Sequence, residues 1–282
     1  MEAQEGVFKL PIGMEIGGNQ ILELTIADTG SEAEKMYTKR PKQGKIHSWF
    51  GHIIAVSISE INGEPIAENF LKQADQTIVP DLVKKIPFLD AGSLLIQIQR
   101  ACWEDTIENQ KLKCTNCGAN LNASIELNKI EVPENLTGKA LTEYTVSLRD
   151  AHIIKTGIEA LDDYEGFKFN RLVFRTATLG DAINHEGVSK DEVQFWRNIA
   201  FDTLKDLYFE DADGSITQVP SGFITRRGKA LFQNDFGSKK LKEIRSGMQT
   251  AQPSTKTYYE ESCPECSELT PYFASVSHFF TV

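Results

Sequence analysis

An α+β fold with a zinc-ribbon-like Cys₄ site is what this sequence predicts, on three observations. Period-two runs such as Leu22, Leu24 and Ile26 stand in the same chain as helical-period runs such as Val193, Trp196 and Ala200. Four of the five cysteines form two CxxC pairs, Cys114–Cys117 and Cys263–Cys266, with about 145 residues between the pairs. The composition, 40% hydrophobic and 25% charged over 282 residues, suits one large core or two modest ones. A CxxC turn sets two thiolates on one side of a tight bend, which is half of a tetrahedral Zn²⁺ site. Two such pairs predict one structural Zn²⁺ held by Cys114, Cys117, Cys263 and Cys266, joining the N-terminal part to the C-terminal tail. Accidental cysteines and two separate redox motifs are the alternatives.

The elements follow in order. Pro11-Ile12-Gly13 and Gly17-Gly18-Asn19 are turn signals, and Ile21–Ile26 is a half-buried strand. Ser31 with Glu34 marks a short polar helix, and residues 38–47 a basic loop. Trp49–Ile61 predicts a strand, with Ile54, Val56 and Ile58 on one face and Ala55, Ser57 and Ser59 on the other. Asn62-Gly63 is a tight turn able to close a hairpin. Residues 66–85 predict two helical pieces broken at Pro80, the first carrying Phe70, Leu71 and Ala74, the second Leu82 and Val83. Leu94, Ile98, Ala101 and Cys102 predict a helix over 89–103, with Asp90 as N-cap. Leu112–Cys114 and Asn120–Ile125 flank the first cysteine pair as ribbon strands. Residues 132–180 are strand-rich, through Tyr144, Val146 and Leu148, then Phe167, Phe169 and Leu172–Phe174. Ser189 and Glu192 form a capping box for a helix through Val193, Trp196, Ala200 and Leu204. Leu241, Ile244 and Met248 predict a shorter helix, and Tyr272–Val282 a strand. The expected division is a zinc-stapled domain, residues 1–131 with 259–282, and an inserted or second α+β lobe, residues 132–258.

Charge narrows the function classes. A net charge of −10 argues against generic nucleic-acid binding, which needs cations to displace counterions. Two basic stretches, Lys39, Arg40, Lys42 and Lys45, then Arg226, Arg227, Lys229, Lys239, Lys240, Lys242 and Arg245, are expected to be solvated faces. The first residues show no secretory pattern and no stretch is long enough to span a bilayer, so a cytoplasmic, non-membrane protein is expected. In that compartment paired CxxC motifs read as metal ligands rather than disulfides. Cys102 is expected in the core of its helix.

Catalytic motifs are missing. A four-thiolate site is closed to water and would not act as a Lewis acid. His47, His52, His152, His185 and His278 stand in no metal-ligand or His-Asp spacing, and the sequence has no GxSxG, P-loop or GxGxxG. Asp211-Ala212-Asp213-Gly214 is out of register for a calcium loop, with Phe209 and Pro220 at the first and twelfth positions. The doublets Asp162-Asp163 and Glu260-Glu261 read as solvent-facing. Trp49, Phe50 and Trp103 read as core residues, or as anchors for a partner if exposed.

A set of short segments carries a resemblance: Leu10-Pro11-Ile12-Gly13, Gln20–Leu24, Ser57–Gly63, and Ile86–Asp90 leading into Leu94–Ala101. The first cysteine pair with Ile125-Glu126-Leu127 behind it, Cys263-Pro264-Glu265-Cys266 and the terminal Phe279-Phe280 complete it. In this order they resemble the baseplate hub assembly proteins of T4-type phages and related contractile tail systems, over most of residues 10–130 and 260–282. Asp90-Ala91-Gly92 stands where many relatives have an Asp-Arg pair. The resemblance implies a non-catalytic assembly chaperone or structural subunit of the central baseplate hub, working in the producing cell through contacts with other baseplate or hub proteins. The alternative is a zinc-ribbon accessory factor for nucleic acid, which requires the two basic stretches to form one surface. A third class, an enzyme, requires a deep polar pocket with perturbed acids.

Overall fold

The computed structural model describes residues 6–27, 45–65, 79–102, 105–155, 166–222, 224, 231–256 and 258–273. They form a mixed α+β structure in two compact units. Unit 1 comprises residues 1–140, 178–183 and 253–282, and unit 2 residues 141–177 and 184–252. The divide thus falls at 140/141 and 252/253, where the sequence placed it at 131/132 and 258/259, and a six-residue piece of the middle segment belongs to unit 1.

Unit 1 opens with β1 (Gly6–Ile16) and β2 (Asn19–Ile26), paired antiparallel across the Gly17-Gly18 turn. α1 (Ile46–Ser57) follows, then β3 (Ile58–Ile61) and β4 (Glu64–Pro65), giving a sheet of order β1-β2-β3-β4. The Asn62-Gly63 turn forms as expected. The Asn62 carboxamide fixes it to β2, accepting from the Leu22 and Glu23 N–H groups and donating to the Gln20 carbonyl.

The expected strand from Trp49 is a helix as far as Ser57, and only Ile58–Ile61 is extended. Trp49, Phe50, Ile53, Ile54, Ala55, Val56 and Ser57 are all buried. A helix buried over most of its surface, with only Ile46, His47, Ser48 and His52 half-buried, shows little polar face, so chance alternation of large and small residues mimics a strand. The short α2 (Asp81–Lys84) and the long α3 (Phe88–Cys102) complete the layer, with α3 packed on β1 and α1.

Asp90 is not a helix cap. It lies in the first turn of α3, fully buried, and its carboxylate accepts from Ile12 N–H at 2.9 Å and Gly13 N–H at 2.9 Å. Those donors sit where the β1–β2 register shifts between Lys9 and Met14. Gly13 has φ +73°, and a Cβ there would meet Leu22 Cδ2 at 2.6 Å. The carboxylate therefore satisfies the N–H groups that the bulge removes from the ladder.

β5 (Thr106–Lys113) and β6 (Asn120–Glu126) form a hairpin that is part of unit 1. In unit 2, β7 (Glu143–Lys155) and β8 (Gly166–Arg175) begin a second antiparallel sheet. α4 (Leu179–His185) starts at a capping box, in which the Asp181 carboxylate accepts from Thr178 N–H and Asp181 N–H donates to the Thr178 hydroxyl. Leu179 belongs to the core of unit 1.

α5 (Glu192–Thr203) is capped by Asp191, whose carboxylate accepts from Gln194 N–H at 2.7 Å, and not by Ser189. β9 (Leu204–Glu210), which takes Leu204 from the expected helix, and β10 (Ile216–Gln218) complete the order β10-β9-β8-β7. α6 (Ser238–Ala251) packs on β7 as an amphipathic helix with Ile244 and Met248 buried.

The chain then returns to unit 1. Lys256 N–H donates to the Glu131 carbonyl, and β11 (Tyr258–Ser262) pairs with β12 (Leu269–Phe273). The Ser31–Glu34 box, the helix piece carrying Phe70, Trp103, His278 and the segment 274–282 lie outside the described residues, as do Lys39, Arg40, Lys42 and Asp162-Asp163.

Candidate metal centre

Two hairpins of unit 1, β5–β6 and β11–β12, each end in a cysteine knuckle with the same backbone plan. In the first, Cys114 N–H donates to the Ala119 carbonyl at 2.8 Å and Gly118 N–H to the Cys114 carbonyl at 3.0 Å. In the second, Cys263 N–H donates to the Glu268 carbonyl at 3.0 Å and Ser267 N–H to the Cys263 carbonyl at 2.8 Å. The residue after the second cysteine is left-handed in both, Gly118 at φ +75° and Ser267 at φ +59°. That turn aims both sulfurs of a knuckle to one side.

The four thiols converge. Cys114 Sγ lies 3.6 Å from Cys266 Sγ, and Cys117 Sγ lies 3.6 Å from Cys263 Sγ. All four sulfurs are within 4.8 Å of one another. A disulfide needs about 2.05 Å, so these are separate thiols. Four thiolates about 2.3 Å from a central ion would stand about 3.8 Å apart, and the cluster fits that tetrahedron. Among the described residues this is the one group of His, Cys, Asp or Glu side chains that could hold a metal ion. The expected set of Cys114, Cys117, Cys263 and Cys266 is therefore brought together.

The surroundings favour bound charge. Cys114 and Cys263 are buried, Cys266 is half-buried and Cys117 is exposed. Leu112, Ala119 and Leu121 pack around the inner pair. The Cys117 N–H, the Thr270 hydroxyl and the Asn116 N–H hold the Cys114 thiol down to about 6. Thr270 Oγ1 is buried without a hydrogen-bond partner among the described residues, and its hydroxyl favours the Cys114 thiolate. The Ala119 N–H favours a thiolate on Cys117 as well. Desolvation and the three neighbouring sulfurs outweigh it and push that thiol up to about 12. One thiolate is thus welcome here, while further ones need a cation among them. Asn116 Nδ2 donates to Cys266 Sγ at 3.8 Å, an outer contact that orients one ligand.

The remaining candidates separate from this centre. Trp49 and Phe50 are core residues. Burial lowers His47 to about 4 and also lowers His52 and His152. Asp211–Gly214 is the turn between β9 and β10, with Asp213 accepting from Ser215 N–H. The Cys102 side chain lies outside the described residues.

One pair escaped the sequence reading. His185 Nε2 stands 2.6 Å from Asp202 Oδ2. The two are 17 positions apart, on α4 and α5, and no local spacing signals them. Nearby, the Ser189 hydroxyl accepts from Asn198, and no side-chain bond joins it to the imidazole among the described residues. Among the described residues, Ser189 is therefore not set as a nucleophile on that histidine.

No described helix is long and apolar enough to cross a membrane. Comparison with protein-family models, with curated proteins and with solved structures finds no match.

Proposed function

We propose that this protein is a non-catalytic assembly factor or structural subunit of a contractile-tail baseplate hub, built around one structural Zn²⁺. The observation that carries the reading is the sharing of one four-thiol cluster by two distant knuckles within unit 1. The segments that resemble the hub assembly family, residues 10–130 and 260–282, are those that make up most of this unit. The cluster supports a mechanical role for the site, because four protein ligands leave no position for substrate or water. What remains for function is surface, and the protein acts through protein–protein contacts.

Zinc is the metal of this reading, since a tetrahedral four-thiolate site suits Zn²⁺ or iron and structural sites of this plan use zinc. Cys114, Cys117, Cys263 and Cys266 would hold it as thiolates. Elemental analysis of protein purified without chelators should find about one zinc per chain. A visible charge-transfer band with stoichiometric iron would overturn the zinc assignment.

The functional reading is tested in the genome that encodes the chain. Its gene should stand among sheath, tube and baseplate genes. Deleting it should leave sheath and tube proteins unassembled under negative-stain electron microscopy, and a copy supplied in trans should restore tails. Complete baseplates in the deletion strain would sink the proposal.

A further inference from the structure

Unit 2 carries an apolar pocket of about 230 Å³ between α5 and α6. Val193 and Ala200 of α5 face Leu241, Ile244 and Met248 of α6 across it, and Phe232 lies among its lining residues. Val193 is 54% exposed and lines the pocket.

The rim is cationic. Arg197, Lys242 and Arg245 all line the pocket. Arg245 is neutralised by Glu192, at 2.5 Å, and its guanidinium carbon lies 5.2 Å from the centre of the Trp196 ring. Lys242 is exposed and Arg197 half-buried, and neither has an ion pair among the described residues. The Arg197 Nε is buried without a hydrogen-bond partner among them. α6 itself carries Lys239, Lys240, Lys242 and Arg245 against the single carboxylate of Glu243, in a chain whose net charge is −10. The sign of this surface is opposite to that of the molecule.

We propose that this pocket docks an acidic amphipathic segment of a partner protein. One large apolar side chain of the partner fills the space between α5 and α6, and carboxylates beside it meet Lys242 and Arg197. Size and charge select this occupant. The pocket is below the roughly 300–1,000 Å³ of small-molecule sites, and it suits a single anchor side chain of the kind that dominates helix-in-groove recognition. A nucleic acid would need a row of free cations along a backbone, whereas here Arg245 is paired with Glu192 and covers the Trp196 ring, and Phe232 is buried. The unpaired cations supply orientation and encounter rate, and the anchor supplies residence time. This inference stands independently of the baseplate reading.

Fluorescence anisotropy tests it with a labelled short helical peptide carrying leucines at i and i+4 flanked by glutamates. Three controls accompany it: the same peptide with lysines for glutamates, a polyglutamate peptide without leucines, and single-stranded DNA of equal length. The acidic amphipathic peptide should bind best. V193W, which fills the mouth, and K242E, which reverses the rim, should each weaken it about tenfold or more. Both positions are exposed, and unchanged thermal melting of the variants secures their fold. Absence of binding at millimolar peptide, equal affinity in both variants and wild type, or tighter binding of the DNA would each overturn the proposal.

Discussion

Asp90 shows how one side chain can govern the stability of a whole layer. It is pushed up to about 7 by burial, against the opposing Ile12 and Gly13 N–H bonds. Its folded value lies above the unfolded 3.8, so the folded state holds the proton more tightly. The resulting stability is fully present below about pH 4 and is lost as pH rises through about 7. This difference corresponds to an upper bound of about 4 kcal/mol. Denaturant titrations of wild type and Asp90→Asn should therefore differ in their pH slope across this window, with the amide variant the flatter. Identical slopes would count against the assignment.

Ser267 offers a second test at the same scale. Its left-handed backbone costs about 1–2 kcal/mol, and glycine would relieve this against an added chain entropy of about 0.5–1 kcal/mol. Ser267→Gly should raise stability by roughly 0.5–1 kcal/mol with unchanged metal content, and a lower melting temperature would contradict it. The cysteines were legible because ligand spacing is a local pattern. The bonds from Asp90 to β1 span 77 and 78 positions, and no local pattern records them.

Among the elements, α1 is where periodicity misled. Ile54, Val56 and Ile58 alternate with small residues, yet the small ones, Ala55 and Ser57, are as buried as the large. β1 escaped for the opposite reason, because its bulge interrupts alternation and leaves Leu10 to Met14 all buried. α5 was found but its start was misplaced by two residues, since Ser189 and Asp191 both fit the cap pattern and only hydrogen bonding distinguishes them.

The packing of α1 makes its own prediction. A Cβ on Gly51 would lie 2.6 Å from Val79 Cγ1 and 2.9 Å from Val79 Cγ2. Gly51→Ala should thus cost about 1–3 kcal/mol by overpacking, more than the helix propensity it gains. In a Val79→Ala background the same change should become neutral or stabilising, toward the propensity gain of about 1 kcal/mol. An equal loss in both backgrounds, measured by a double-mutant cycle, would refute this contact as the cause.

For the whole molecule, the cysteine cluster ties the ends of a long excursion. A cross-link over a loop of this length removes on the order of 5 kcal/mol of unfolded-chain entropy, by analogy with a disulfide. Chelation, or replacing Cys263 and Cys266 with serine, should lower the melting temperature. It should also raise hydrogen exchange in β5–β6 as much as in β11–β12. Loss of protection confined to the tail would mean that the knuckles hold no common metal. The mixed α+β class and the joining of residue 117 to residue 263 were readable from cysteine spacing and from mixed periodicities. The return of Thr178–Ile183 to unit 1 was not, because Leu179 joins that core without any change in local composition.

Cys263 follows Cys117 by 146 positions. At about 5–20 residues per second, a ribosome takes on the order of 7–30 s to deliver it. During that interval the first knuckle is exposed to the cell as a half-complete dithiol, while the whole of unit 2 emerges. Closure of the centre in this way waits for every residue of unit 2, and a chain truncated within that unit never acquires it. A metal held by all four thiols would thereby report that the intervening lobe has been translated in full.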